Sequence, residues 1–183
     1  MASLSTPGIR PRPTLRRRLD AAFRRLFPAA CTATLLLLAA APLGVPGQAQ
    51  WQPAVALACV FFWSLAWPAA MPPAAVFLLG LLSDLLGLTP PGVSVLILLA
   101  AHGLAAGWRR VLVQQGLLAV WLAFVTVAAG AAAAEWAMVG LLSVRLLPAD
   151  DALLQFGLTA GFYPALAALF TQAHRGLAGP DRA

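Results

Sequence analysis

Apolar residues run along this chain in long blocks, and polar positions fall mostly between the blocks rather than alternating within them. Continuous apolar runs of helical length, parted by Pro and Gly, are the pattern of membrane-spanning helices. Six such runs are expected, at 29–45, 53–67, 73–88, 93–108, 111–142 and 152–171. Pro-rich punctuation sets several boundaries, because each Pro removes a backbone donor and disfavours helix before it. Trp67-Pro68 and Met71-Pro72-Pro73 close the second run, and Thr89-Pro90-Pro91-Gly92 turns the chain between the third and fourth. The fifth run is apolar to Ala134, and its helix is expected to continue past Glu135 to Leu142.

Ahead of the first run the pattern changes. Residues 1–13 are rich in Pro, Ser and Arg, and Thr14 is placed to cap a short helix ending before Pro28. On that helix Leu15, Leu19, Ala22, Phe23 and Leu26 share one face, while Arg16, Arg17, Arg18, Arg24 and Arg25 crowd the rest. This is the pattern of a basic amphipathic helix on anionic headgroups. The Arg-rich leader and the small residues near Ala49 also fit a signal peptide, but a retained first span is the expectation.

Composition places the chain outside the soluble class. Of 183 residues, 61% are hydrophobic and 10% charged, with a mean hydropathy of +0.85, against about 45–50% and 25% for soluble domains. The net charge of +6 is local, since every basic residue is Arg and most precede Leu26. It implies an anionic lipid surface and no nucleic acid. Three segments follow: a cytoplasmic Arg-rich tail at 1–28, a six-span domain at 29–171, and a cytoplasmic tail at 172–183. With the N-terminus inside, Arg109 and Arg110 fall inside after four crossings and Arg175 and Arg182 inside after six. Arg145 alone falls outside, as the positive-inside rule favours.

Candidate chemistry is sparse. The chain has no Gly-Xaa-Ser-Xaa-Gly, no His-Glu-Xaa-Xaa-His and no phosphate-binding Gly loop. No enzyme activity, cofactor or metal is expected; Cys31 and Cys59 sit in apolar runs as small hydrophobes. Trp51, Trp67, Trp108 and Trp136 lie near span ends, as an interfacial aromatic belt does. The exception is Asp84, an acid inside the third run and about 18 Å along it from Pro72. Charge in lipid is expensive and therefore seldom idle. Gly80 and Gly87 flank it at helical spacing as a close-packing strip, with Ser83 beside it. Ser94, at similar depth at the start of the next run, is its first expected partner. Small residues at Gly103, Gly107 and 128–134 are expected to let helices approach, within the bundle or against another protein.

The stretch 71–107, with Met-Pro-Pro, then Gly80, Ser83, Asp84 and Gly87, then Pro91 and Gly92, resembles the bacterial rod shape-determining protein family MreD. Pro91 stands where that family's pattern carries Leu, and Ser83 where Gln is frequent. The resemblance implies an all-α integral membrane protein, a compact bundle of about six transmembrane helices similar in fold to the substrate-binding subunits of energy-coupling-factor transporters. It implies a non-enzymatic inner-membrane subunit of the cell-elongation complex, helping to maintain rod shape and organise lateral peptidoglycan synthesis. The implied partners are an MreC-type scaffold, an MreB-type actin-like filament, a SEDS glycosyltransferase and a penicillin-binding transpeptidase. The alternative is a solute-binding transporter subunit using a pocket around Asp84. Such a pocket needs several convergent polar groups, and the runs offer only Asp84, Ser94, Thr126 and Glu135.

Overall fold

A computed structural model describes residues 15–41, 48–87, 90–143 and 149–177, without the side chains of 15–24, 48–50, 143, 149–151, 166 and 169–177. The described residues form six α-helices and one short 3-10 turn, with no strand. In chain order these are α1 (Leu15–Ala40), α2 (Gln48–Ala66), the 3-10 turn (Pro68–Ala70), α3 (Pro73–Leu86), α4 (Val93–Leu112), α5 (Leu117–Ser143) and α6 (Ala149–Leu177). The protein is therefore all-α.

α2 is the centre. It packs against every other helix, and residues from Ala54 to Leu65 are buried with the exception of Val55 and Phe62, which are half-buried. α2 carries no charged residue, so its neighbours can enclose it without burying a charge. Phe61 of α2 meets Phe124 of α5 and Tyr163 of α6 edge-on at 5.2 and 5.8 Å. Phe124 and Tyr163 stack at 4.1 Å. These rings join three helices in one core.

One expectation fails at the N-terminus. The helix does not end before Pro28 but runs through it as a single element of 26 residues. Pro28 is fully buried, and its carbonyl accepts the Thr32 hydroxyl at 2.8 Å. Packing against neighbouring helices lets an apolar helix keep an internal Pro. The side chains of Arg16, Arg17, Arg18 and Arg24 lie outside the described residues; Arg25 is exposed.

Among the described residues two helices, Val93–Leu112 and Leu117–Leu142, are long and apolar enough to cross a membrane. Three other apolar stretches, Arg25–Ala40, Trp51–Ala66 and Pro73–Leu86, are shorter. The 14 residues of α3 extend only about 21 Å, against roughly 30 Å of hydrocarbon. Large apolar side chains face outward along the bundle, among them Leu78, Leu85, Leu96, Val111 and Leu141.

Candidate functional site: the Asp84 clamp and the adjoining polar cavity

The local sequence explains the corner between α3 and α4. Pro91 and Gly92 occupy the two middle positions of a tight turn, closed by the Val93 amide donating to the Pro90 carbonyl at 3.3 Å. Gly92 has φ 97° and ψ −17°, the left-handed conformation that the third position of a type II turn requires and that suits Gly. Gly92 is also the N-cap of α4, and having no side chain it leaves the first turn without its usual acceptor.

Asp84 supplies that acceptor from the preceding helix. Its Oδ2 accepts the Gly92 amide at 2.7 Å and its Oδ1 the Ser94 amide at 2.9 Å. Asp84 thus sits in the last turn of α3, where the helix dipole disfavours an anion, and serves the N-terminus of α4, where the dipole favours one. The expected partner Ser94 is met through its backbone amide rather than its hydroxyl.

Gly80, one turn before Asp84, sets how closely the helices approach. A Cβ there would lie 2.6 Å from Val95 Cα and 3.1 Å from Val95 N. Gly87 differs from expectation. It lies past the end of α3 as its cap, in extended conformation with its amide on the Ser83 carbonyl at 2.8 Å. The helix ends at Leu86, so Gly87 caps α3 instead of continuing the helical spacing from Gly80. Pro91 is exposed at the turn. A Cβ at Gly103, Gly107 or Gly130 would meet nothing within 4 Å, so these glycines bring no two helices of the bundle together.

Residues that sequence reasoning passed over complete the site. Gln52 of α2, only 5% exposed, donates its amide to the Ser83 carbonyl at 3.1 Å and so ties α2 to the end of α3. Gln155 of α6 donates to Glu135 Oε2 of α5 at 2.6 Å. Thr159 closes on the Gln155 carbonyl at 2.7 Å. Ser83, Ser94, Glu135, Gln155 and Thr159 line one cavity of about 20 Å³, with apolar walls from Pro53, Leu57 and Leu98. That volume holds about one water. The signal for Gln52 and Gln155 was their isolation as amides beside apolar runs, a weak cue because either also suits an interface.

A second polar link lies toward the other end of α4. His102 Nδ1 and Ser64 Oγ are 2.7 Å apart, and Ser64 also donates to the Val60 carbonyl at 2.6 Å. Ser64 has one proton, so with that proton on Val60 it is His102 that donates to Ser64. Arg109 Nε donates to the Leu65 carbonyl at 3.0 Å, at the negative end of the α2 dipole. Ser64 is fully buried and His102 half-buried, so the bond joins α2 to α4 inside the bundle.

On the outside, α4 and α5 form an apolar groove of about 490 Å³, lined by Leu96, Ala100, Leu104 and Trp108 on one wall and by Gly130 and Ala134 on the other. Among the described residues no three His, Cys, Asp or Glu side chains gather to hold a metal. No protein-family model, curated protein or solved structure matches this chain.

Proposed function

We propose that the chain is a non-enzymatic, multi-pass subunit of a bacterial inner membrane, with both termini cytoplasmic, that docks partner membrane proteins in the manner of the MreD family. In that role it belongs to the elongation machinery that maintains rod shape. Its partners are an MreC-type scaffold, an MreB-type filament, a SEDS glycosyltransferase and a penicillin-binding transpeptidase. All six helices cross or enter the bilayer, the shorter ones within a bundle whose neighbours satisfy their ends.

The observation that carries this reading is where the bundle spends its apolar and polar surface. Its outer face is apolar, with a groove along the two longest apolar helices. Exposed apolar surface on this scale marks contact with lipid or protein. The polar cavity beside the clamp, about 20 Å³, falls far below the roughly 300 Å³ at which organic-ligand pockets begin. A solute-binding transporter subunit would need that larger room. The Asp84 clamp then holds α3 and α4 in register rather than binding a solute.

Co-purification from mild detergent, followed by identification of the bound proteins, tests the proposal. The wild-type chain is expected to carry a bitopic scaffold and wall-synthesis enzymes, and Asp84→Ala to lose them when the two are compared at equal amounts of purified protein, with rounded cells. Normal association and normal rods in the variant would remove Asp84 from the docking role. Tight retention of a small organic solute instead of proteins would overturn the reading.

A further inference from the structure

The cavity beside the Asp84 clamp has chemistry that helix packing does not use. Four helices bring oxygen-bearing side chains to it: Ser83 from α3, Ser94 from α4, Glu135 from α5, and Gln155 and Thr159 from α6. Ser83 is only 3% exposed, and its hydroxyl makes no hydrogen bond among the described residues. An unpaired hydroxyl that faces a cavity between four helices leaves room there for a small ligand or a water. Ser94, half-buried, lines the same cavity; its amide is taken by Asp84, and its hydroxyl has no partner among the described residues.

Glu135 sharpens the point. Its carboxylate meets the neutral Gln155 amide through one oxygen, and no cation faces it among the described residues. A carboxylate inside an apolar bundle either takes up a proton or is held ionised by a compensating charge. The chemistry of the lining sets what kind. All the free groups are oxygens, which suit a hard cation rather than a soft one. A single carboxylate with neutral hydroxyl and amide oxygens balances one positive charge, not the two of calcium, which usually collects several carboxylates. The volume, about 20 Å³, admits one water-sized body.

We infer that the Ser83–Ser94–Glu135–Gln155 cavity binds a single alkali cation such as sodium, which neutralises Glu135 and joins α3 and α4 to α5 and α6. The site stands independently of which partners the bundle docks, so its failure and theirs are separable. Because Asp84 holds the Ser94 backbone, the cation and the clamp share one wall.

The test uses the full chain in mild detergent, with sodium chloride compared against choline chloride at equal ionic strength. Sodium is expected to raise the unfolding midpoint saturably, and equilibrium dialysis with radiolabelled sodium to give one ion per chain. Glu135→Gln, which keeps the size and a hydrogen bond to Gln155, is expected to abolish both effects. Ser83→Ala is expected to weaken the sodium response several-fold while leaving the fold in choline unchanged. Equal midpoints in the two salts with no sodium retained would overturn the inference, leaving the cavity to a water or to a protonated Glu135. A full sodium response surviving in both variants would overturn it equally.

Discussion

Asp84 serves a helix other than its own. Measured against α3 alone it is misplaced, since an anion in the last turn opposes the dipole by about 0.3–1 kcal/mol. The two amides it accepts, at 2.7 and 2.9 Å, outweigh this, because hydrogen bonds to a charged group contribute about 1.5–3 kcal/mol each. Asp84→Ala is therefore expected to destabilise the protein by about 2–4 kcal/mol, read as a lowered unfolding midpoint in detergent. Asp84→Asn keeps one acceptor oxygen and places an NH2 against an amide, so most of that loss should remain. Asp84→Glu, with an extra methylene in a site only 7% exposed, should be poorly accommodated as well. If the Asn variant matched wild type in stability, the paired geometry would not be what matters at this position.

Between elements, approach distance separates two kinds of glycine. Gly80 is on α3 where α4 comes closest, and an added methyl there meets backbone rather than a movable side-chain end. Gly80→Ala should force the helices apart at a cost of about 1–3 kcal/mol, seen as reduced thermal stability. Gly103 and Gly107 of α4 form a small-residue motif of the kind that packs membrane helices, yet both face open space. Gly103→Ala should leave the isolated protein unchanged or stabilise it by up to about 1 kcal/mol through helix propensity. Partner association is where a large residue at Gly103, such as Leu, should tell, and pull-down efficiency measures it. α1 makes a similar point about context: its run through Pro28 goes with full burial of that residue, which local propensity does not weigh.

At the level of the whole molecule, the arginines and the groove make separate predictions. Arg109 and Arg110 close α4, and in the proposed orientation they face the cytoplasm. A cysteine placed at Gln114, in the exposed turn between α4 and α5, should be labelled in permeabilised or inverted membranes and stay silent in intact cells. Labelling in intact cells would invert the topology. Arg109 also ties α4 to the end of α2 through the Leu65 carbonyl, so Arg109→Ala should cost about 1–2 kcal/mol in addition to its part in orientation.

Periodicity and punctuation determined a good deal about this protein. Helices of these approximate lengths, the turn at Pro91-Gly92 and the isolation of Asp84 were all legible, because apolar blocks and Pro/Gly breaks act within a few residues of themselves. The sequence also named Gly80, Asp84, Gly92 and Ser94 as a group, since they lie within fifteen residues of one another. Only the tertiary structure decided the rest. It exchanged the Ser94 hydroxyl for its amide, moved Gly87 off the helix, and carried α1 through Pro28. It made α2 the hub, brought Gln52 to Ser83 across 31 residues and Gln155 to Glu135 across 20. These outcomes depend on which helix faces meet, and a run that is apolar on every side carries no periodic mark of the face it will turn toward a neighbour.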